Sequence, residues 1–432
     1  MHQLQAHLSA VRARQSICAC ALGAYKAIAE DDAETASVWF HCWKVTTDAI
    51  LALRLLSEIH RQFSLPLCVA HVDIKWAFDS VDRVALWKAL RARGVPDVLL
   101  KLVEDLHTHS GARVRMGGSL SSRFATTSGV RQGCVLAPAL FTVAIDWIMG
   151  HLEPHVGINV GTHRFTDLIY TDDAAGLLPD ASQTARTLNT LSTAAAPFGL
   201  KLSWTKTKLQ SLGSGPPAET VIIGGTPVES VDEFIYLGSK QTSDGYCRPD
   251  MLRRIALASS VMGSLCSVWR CSQLSLKTKV HLYRALVMSV LLYSAETWTL
   301  LVEDIQKLEA FHMRCQRQIL NVHWWDHVTN ASVLEQTGLT TISEHLSRRR
   351  ISLFGHVARM DAEVPANGAL RLMVDQADGF APDDSWRRPR GRPRKTWMSH
   401  IRQDSGIAPS ELWENEVAKG HGAAQRSPET TR

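Results

Sequence analysis

The chain has 432 residues, a formal net charge of +5 and nine cysteines at irregular spacing. This length accommodates about two or three domains with a sizeable core, and the 45% hydrophobic and 21% charged residues are ordinary for a globular protein. The cysteine pattern argues against a disulfide framework and for a reducing compartment, no apolar run is long enough for a transmembrane helix, and no zinc signature is complete.

Residues 1–45 carry no pattern that assigns them beyond an Ala-rich helical start and an acidic loop. From Thr47 onward apolar residues recur at helical spacing, which predicts an amphipathic helix. Its stripe consists of Ile50, Leu53, Leu56 and Ile59, widened by Leu51 and Leu55.

The run Leu67–Ile74 is compact and apolar and ends in charge, which predicts a buried strand. Alternation along a strand places Val69, His71 and Asp73 on one face. Asp79 or Ser80 then caps a predicted helix that runs to residue 93 with Val84, Trp87 and Leu90 inward, and a second helix covers about residues 97–107.

A strand, a Gly-Gly turn and a strand are predicted over residues 113–126, followed by a polar, glycine-flanked loop over 128–134 and a helix opened by Pro138. The segment Leu168–Leu178 has two apolar runs around Asp172-Asp173, which predicts a β-hairpin with both acids at its tip. These residues alone leave two interpretations open, a solvated turn or a divalent-metal site.

A helix over about residues 182–198 ends at Gly199, and an extended piece follows with Lys206 and Lys208 behind it. Residues 231–238 are predicted to form another strand, and residues 249–321 have helical periodicity. The Pro-, Gly- and Arg-rich stretch from about Val364 is predicted to be loosely folded. The order predicts an α+β domain followed by a helical one. Asp73, Asp172 and Asp173 at strand ends have the ligand chemistry of a two-metal phosphoryl-transfer site.

The ordered series of motifs resembles the reverse transcriptase of LINE-type, non-LTR retrotransposons over about residues 46–401. The matching stretches are His71–Val81 (HVDIKWAFDSV), Ser128–Pro138 (SGVRQGCVLAP), Tyr170–Asp173 (YTDD), Gly199–Lys208 (GLKLSWTKTK) and Phe234–Ser239 (FIYLGS). Residues 276–298 resemble the family's thumb, and residues 348–360 and 390–397 resemble its usual tail.

The resemblance implies a role for each matching residue. Catalysis would involve Asp73, Asp172, Asp173 and Lys206, with Lys208 as a second choice for the proton donor and the three aspartates as metal ligands. Substrate would contact Phe78, Arg131, Gln132, Gly133 and Tyr170, and the primer grip would be Phe234, Tyr236, Leu237 and Gly238. The residues alone leave Phe78 open as a core residue and the lysines as a solvated face.

The resemblance also implies a polymerase right hand in four parts. They are a truncated or divergent fingers segment (1–64), a palm (65–245), a helical thumb (246–325) and a C-terminal region with a basic, partly disordered tail (326–432). The expected cofactors are two Mg²⁺ ions, with Mn²⁺ as a substitute, and the expected partners are an RNA template, a DNA primer and dNTPs, with no membrane. The upstream segment departs from the family at 39–47, and with 72 residues before Asp73 no endonuclease domain is expected.

The tail supports a second hypothesis. Residues 387–395 contain no acid, and their Arg-Gly-Arg-Pro core resembles an AT-hook, whose arginines enter the minor groove of A·T tracts. The alternatives are nonspecific phosphate contact and nuclear import, and we expect an intracellular, nuclear location. The tail residues concerned are Arg390, Arg392, Arg394 and Lys395. The alternative function is a catalytically inactive remnant that binds nucleic acid through thumb and tail.

Overall fold

The computed structural model describes residues 46–150, 157–178, 183–215, 217, 219–383 and 385–424. Within these ranges the fold is mixed α/β, with a seven-stranded sheet, four two-stranded sheets and a helical C-terminal half. Most of the predicted fingers segment, residues 1–45, lies outside the described residues.

The elements follow one another in this order. The strands are β1 (Cys68–Lys75), β2 (Gly111–Ala112), β3 (Arg115–Met116), β4 (Ser119–Leu120), β5 (Phe124–Ala125), β6 (Ile158–Val160), β7 (His163–Phe165), β8 (Asp167–Tyr170), β9 (Asp173–Leu178), β10 (Lys201–Leu202), β11 (Lys208–Ser211), β12 (Val221–Ile223), β13 (Thr226–Ser230), β14 (Glu233–Tyr236) and β15 (Ser239–Thr242). The helices are α1 (Thr46–Gln62), α2 (Ala77–Ser80), α3 (Arg83–Ala92), α4 (Asp97–His107), α5 (Ala137–Gly150), α6 (Thr184–Ala195), α7 (Arg248–Ser264), α8 (Cys266–Arg270), α9 (Leu276–Leu282), α10 (Ser289–Leu291), α11 (Val302–Leu320), α12 (Asn330–Thr337), α13 (Ile342–Ala358), α14 (Pro365–Ala377), α15 (Trp397–Ser405) and α16 (Pro409–Ala424).

Strand β1 lies at the centre of the large sheet, whose order is β12-β13-β11-β1-β9-β8, with β10 also pairing with the end of β1. Its pairings with β9, β10 and β11 are antiparallel. Val69 and His71 pack toward α1 and the β14–β15 hairpin, while Ala70 and Val72 pack on the opposite side with Leu188 of α6. The alternation predicted for this strand is therefore confirmed.

Helix α1 is enclosed on nearly all sides, although its sequence is only moderately apolar. All six predicted stripe residues have no exposed surface, and the charged Arg54 and the polar Ser57 are buried with them. The sheet covers one side of α1 and the C-terminal helices, above all α14, cover another. The polar side chains of a helix that is buried on nearly all sides need hydrogen-bond partners within the protein. In α1, Arg54 donates to the hydroxyl of Ser239, and Ser57 donates to the carbonyl oxygen of Leu212.

The C-terminal region returns to the palm sheet. The helical core that begins at Cys247 continues to Leu346, and from Leu353 onward α13 contributes instead to the core that contains α1. The domain limits stay a prediction, but this packing places α12 and the start of α13 with the preceding helices. No helix of the described part of the chain has the length and apolar composition needed to cross a bilayer.

The prediction of a loosely folded chain from about Val364 is wrong for the described residues. Helix α14 places Leu370, Met373 and Val374 in the core, and α15 adds Trp397 and Ile401. The Pro, Gly and Arg residues concentrate in the linking segment between these two helices, so the composition of the whole stretch concealed two amphipathic helices.

The helix predicted over residues 79–93 is divided in two. Asp82 has extended backbone angles, and its side chain accepts a hydrogen bond from Ala85 N at 2.8 Å, so α3 begins at Arg83. Asp82, and neither Asp79 nor Ser80, is therefore the cap. Val84 is exposed, contrary to its predicted inward orientation, because the later start rotates the buried face to Leu86, Ala89 and Leu90.

A buried ionic network joins α1 to the helical half. Asp250 lies in the first turn of α7 and has no exposed surface. It accepts hydrogen bonds from Ser239 Oγ at 2.8 Å, Lys240 N at 2.9 Å and Trp298 Nε1 at 2.9 Å. Arg54 Nη2 lies 3.4 Å from the same carboxylate. One carboxylate thus connects the β14–β15 hairpin, α7, the segment before α11 and α1.

Glu58 makes a second connection from α1. Its carboxylate accepts hydrogen bonds from Thr299 Oγ1 at 2.6 Å and from Trp397 N at 2.9 Å. Burial raises the pKa of this carboxyl above its ordinary value of 4.5, against the opposing effect of these two donors. Glu58 therefore ties α15 to α1 at the cost of desolvating a carboxylate.

We expect Asp250→Ala to destabilise the protein by about 3–5 kcal/mol, because it leaves Arg54 buried without its counter-charge. Asp250→Asn keeps the shape of the side chain and one acceptor oxygen, so it should reduce stability less than Asp250→Ala does. Urea unfolding followed by circular dichroism measures both, with Asp361→Ala at an exposed site as the matched control. A loss below about 1 kcal/mol for Asp250→Ala would contradict this account.

We expect Glu58→Gln to flatten the dependence of stability on pH. A carboxyl whose folded pKa is raised contributes stability fully below its unfolded pKa of 4.5 and loses that contribution as pH rises through the folded pKa. The wild-type chain should therefore lose stability relative to the Gln variant as pH increases above 4.5. Glu335→Gln, at an exposed position of α12, is the control, and parallel stability curves for wild type and Glu58→Gln would refute the assignment.

Candidate active site

Two of the predicted catalytic acids lie side by side at the end of the central strands. Asp73 of β1 pairs directly with Asp173 of β9, and Asp173 pairs with Tyr170 of β8. Directly opposed residues share a face of the sheet, so the three side chains project on the same side. Thr171 and Asp172 form the two-residue turn between β8 and β9, and Thr171 has a φ of 55°. The predicted hairpin with the acids at its tip is present.

The carboxylates of Asp73, Asp172 and Asp173 repel one another electrostatically. Burial raises the pKa of Asp173, and the negative charges of Asp172 and Asp73 raise it further. The inner oxygen of Asp73, Oδ2, has no hydrogen-bond partner among the described residues. Carboxylate oxygens are the donors that hard divalent cations prefer, so this set of donors fits such an ion.

The strand ladder orients only two of the three aspartates. Within the described ranges no group of three or more His, Cys, Asp or Glu side chains is arranged to hold a metal ion. The ladder aligns Asp73 with Asp173, but Asp172 belongs to the turn and no strand pairing directs it toward them. One metal site formed by all three carboxylates therefore stays a prediction.

A short loop after β10 covers Asp73. Ser203 N donates to Asp73 O at 2.8 Å, and Asp73 N lies 3.4 Å from Thr207 Oγ1. The loop brings Lys206 Nζ to 3.5 Å from the inner oxygen of Asp73, while 71% of the Lys206 side chain stays exposed. Thr207, which has no exposed surface, was not singled out by the sequence although it lies between two predicted lysines.

The structure separates the two candidate lysines. Lys208 lies in β11 and donates to Glu229 Oε2 at 2.7 Å, away from the aspartates. It is adjacent to His71 across the ladder, and 22% of its side chain is exposed. Lys206, and not Lys208, is the lysine next to the carboxylates.

The loop over residues 128–134 docks on the segment that follows Asp73. Gly129 N donates to Val81 O and Val130 N donates to Phe78 O, both at 2.8 Å. Gln132 Nε2 lies 3.2 Å from both carboxylate oxygens of Asp79. Gln132, which was predicted to contact the nascent base pair, is exposed and donates to Asp79. The sequence suggested Asp79 only as a helix cap. Gly133 has a φ of +78°, and a Cβ at this position would meet no atom within 4 Å.

Arg83 organises this loop, and sequence reasoning missed it. Its guanidinium is half-buried and reaches five acceptors across residues 107–129, which matches the planar fork of an arginine. It donates to the carbonyl oxygens of His107, Thr126, Ser128 and Gly129 and to the hydroxyl of Ser110, over 2.8–3.1 Å. The sequence signal that could have identified Arg83 is its position directly after Asp82, the helix cap. An adjacent cleft of about 900 Å³ is lined by Arg83, Asp105, Arg123, Arg131 and Gln132.

Phe78 is both a core residue and a boundary of the site. Its ring stacks on Phe141 of α5 with centroids 4.7 Å apart, and the side chain is half-exposed. Trp76, two residues earlier, is left-handed with a φ of 49° and largely exposed beside the catalytic strand. The sequence analysis did not single out Trp76.

The β14–β15 hairpin lies on the same face of the sheet as Asp73. Phe234 stacks on His71 with centroids 4.0 Å apart, and Tyr236 donates its hydroxyl to Leu168 O at 2.8 Å. Leu237 and Gly238 form its two-residue turn, with φ values of 47° and 77°. The helical half holds this turn, since Tyr293 donates to Leu237 O at 2.9 Å and Arg253 to Gly238 O at 3.1 Å. Phe234 and Tyr236 therefore contact the palm, whereas the turn contacts the helices.

The basic residues 387–395, hereafter the basic strap, run as an extended segment held at both ends. Trp386 packs on Phe63 with centroids 5.3 Å apart, and the buried Trp397 donates Nε1 to Glu296 O at 2.7 Å. Arg394 lies over the ring of Tyr246. The remaining predicted tail residues, Arg390, Arg392 and Lys395, are exposed along a cleft of about 540 Å³. The strap is thus a surface segment anchored in the fold, and the minor-groove interpretation stays a prediction.

Comparison with known proteins gives a consistent result. The model of the family described as reverse transcriptase (RNA-dependent DNA polymerase) matches residues 10–240, more than half of the chain. The match includes all five motifs and begins in the N-terminal segment that the motifs alone could not assign. A second model, for a domain of unknown function, matches residues 262–293.

Individual relatives come from mobile elements. The chain is 27% identical to a Retrovirus-related Pol polyprotein from type-2 retrotransposable element R2DM of Drosophila melanogaster, over 45% of this chain and 19% of that protein. It is 24% identical to a Retrovirus-related Pol polyprotein from type-1 retrotransposable element R2 of Popillia japonica, over 82% of this chain and 60% of that protein. Among solved structures, a telomerase from Candida tropicalis in complex with a TWJ fragment of telomeric RNA aligns with a TM-score of 0.35 and 11% identity, covering 86% of this chain and 51% of that one.

We expect Gly129→Ala to destabilise the protein by about 1–3 kcal/mol more than Gly94→Ala. Both glycines have a φ of +78°, but a Cβ on Gly129 would lie 2.7–2.8 Å from the backbone of Asp79, whereas a Cβ on Gly94 meets nothing within 4 Å. The pair separates the clash with Asp79 from the shared conformational strain. Urea unfolding of the two variants is the measurement, and equal losses would show that the loop does not pack against Asp79.

Proposed function

The chain belongs to the reverse transcriptase (RNA-dependent DNA polymerase) family, with relatives among non-LTR R2 elements, and from this premise we propose that it copies RNA into DNA. The family match confirms the predicted resemblance to LINE-type reverse transcriptases and the mixed α/β, palm-type fold. The chain covers 19% and 60% of the two relatives' lengths, so its activity and partners are proposals. The observation that supports activity most is the register that pairs Asp73 with Asp173 beneath Lys206.

The proposed reaction is nucleotidyl transfer to a primer. The oxygen of the primer 3′-hydroxyl attacks the α-phosphorus of a dNTP and forms a new phosphodiester bond. The bond between the α-phosphorus and the oxygen that bridges to the β-phosphate breaks, and pyrophosphate leaves. The proton of the attacking hydroxyl passes to water, and the leaving oxygen accepts a proton from Lys206. Such a transfer depends mainly on positioning and on the stabilisation of developing charge.

The family uses divalent metal ions, and we infer that Asp73, Asp172 and Asp173 would hold two Mg²⁺ ions, for which Mn²⁺ can substitute. The all-carboxylate donor set supports this assignment, as does the crowding of negative charge that, with burial, raises the pKa of Asp173. Bound divalent ions would lower the pKa of the attacking hydroxyl and stabilise charge on the phosphates.

The remaining residues position the substrates. Lys206 is exposed enough to reach a leaving pyrophosphate and is held near the site by its ion pair with Asp73, which suits a proton donor. Phe78, backed by Phe141, presents a rigid edge where a ribose 2′-hydroxyl would be excluded. Gln132 must release Asp79 to contact a base pair, and Arg83 keeps its loop in place meanwhile.

A second candidate is a nucleic-acid-binding protein without polymerase activity. It is supported by the exposed arginines of the basic strap. If this candidate is correct, the chain binds nucleic acid in a salt-dependent manner and incorporates no nucleotides. Deletion of residues 387–395 abolishes the binding. A nuclear location accompanies either candidate as a prediction.

Primer extension on an RNA template with Mg²⁺ tests the proposal. Asp172→Ala and Asp73→Ala should each reduce incorporation by at least about 10²-fold, because each removes a carboxylate that would hold the divalent ions. Lys206→Ala should reduce it by about 10²-fold, while Lys208→Ala, bound to Glu229, should have a much smaller effect. Asp361→Ala is the exposed control. No incorporation by the wild-type chain above the Asp172→Ala background would refute polymerase activity.

A further inference from the structure

A tandem pair of exposed tryptophans lies in the helical half, outside the candidate active site. Trp324 and Trp325 are 80% and 57% exposed, in a short 3₁₀ turn between α11 and α12. Large apolar side chains at such exposure usually have a function, since their burial would stabilise a protein. The rest of the fold gives them no structural role among the described residues.

The turn holds these rings in a defined arrangement. Asn321 and His327 on either side have left-handed backbone angles, and His323 N donates to Asp326 Oδ2 at 2.7 Å. The two indole rings are nearly perpendicular, with centroids 5.7 Å apart and an interplanar angle of 76°. The ring of His323 packs edge-on against Trp325 at 4.5 Å. Each indole therefore keeps a separate ring face open to solvent.

A positively charged cleft begins at the same turn. It measures about 1290 Å³, and His323 forms part of its wall. Four cations and one carboxylate line it, and these are Arg270, Lys279, Arg314, Arg317 and Glu309. Ser343 N donates to the Glu309 carboxylate, and burial raises the pKa of Glu309. The charge balance of the cleft thus favours an anionic ligand.

We propose that Trp324 and Trp325, with the cleft lined by Arg270 and Arg314, bind single-stranded nucleic acid by stacking bases and neutralising phosphates. Aromatic platforms beside a basic groove suit this ligand, because every base has a ring face and every linkage carries a charge. The four cations along one cleft match the repeated charges of a phosphate backbone, and a self-association of the chain through the two tryptophans is an outcome of the test below. The proposal rests on the proposed function only in taking nucleic acid as the partner, and it adds a site far along the chain from residues 73–206.

Fluorescence anisotropy with labelled 20-mers of oligo(dT) and oligo(U) tests the site on the full chain without dNTPs. Trp324→Ala/Trp325→Ala should weaken binding about tenfold or more and leave the slope of log K against log salt unchanged. Arg314→Ala should instead reduce the magnitude of that slope by about 0.7. The matched controls are Phe380→Ala, an exposed aromatic on another surface, and Arg402→Ala, an exposed arginine on α15.

Two further measurements separate the possible outcomes. An abasic 20-mer keeps the phosphates but no bases, so the double tryptophan variant should bind it as the wild type does. A bromouridine-substituted 20-mer should photo-crosslink to the peptide that contains residues 323–327. The proposal would be overturned if the double tryptophan variant kept the wild-type affinity and the crosslinks lay elsewhere in the chain. It would also be overturned if the only change in that variant were reduced self-association in ultracentrifugation. Because no dNTP is present, this binding result is independent of whether the chain polymerises DNA.

Discussion

The pairing register of the central strand β1 is the constraint on which the candidate site depends. β1 is bound on both edges, with Asp73 opposite Asp173 on one side and His71 opposite Lys208 on the other. A shift of one residue would move Asp73 to the face that packs on α6 and would bring Val72 or Ile74 to the site. Such a shift would also bury a carboxylate among apolar side chains, so hydrophobic patterning and electrostatics enforce the same register.

A second set of constraints holds the distant parts of the chain together. Helix α1 is buried all round, and two acids tie its surroundings to it: Asp250 through Arg54, and Glu58 through Thr299 and the backbone of Trp397. Buried charges add little net stability, but they are costly to leave unpaired and so favour one arrangement of the palm, the helices and the C-terminal region. The turn at Gly238, which is predicted to belong to a primer grip, is held by the same helical half, so its position depends on that packing.

The surface of the molecule presents nucleic-acid-binding chemistry at separate places. The acids and Lys206 lie at the sheet edge, Arg131 and Gln132 line the cleft beside α4, and the basic strap crosses near α1. The Trp324 turn and its basic cleft form a further surface in the helical half. A polymerase must hold a template along its length as well as at the reacting phosphate, and dispersed contacts of this kind would serve the function that we propose.

The sequence by itself determined the family, the order of the elements and the identity of the chemical groups. Its motifs are local, and local patterns such as alternation in β1 and the Asp-Asp turn specify which residues share a face. It did not reveal Arg83, Thr207 or the separation of Lys206 from Lys208, because those depend on contacts with residues distant in the chain.

Only the tertiary structure decided how the C-terminal third is used. Averaged over residues 364–432, the composition resembles a loose basic tail, yet α14 and α15 supply Met373 and Trp397 to the core around α1. It also decided that the ladder aligns Asp73 with Asp173, whereas Asp172 lies in the turn and has no ladder partner to orient it. Local pattern thus specifies faces and motifs, whereas long-range packing decides which faces meet.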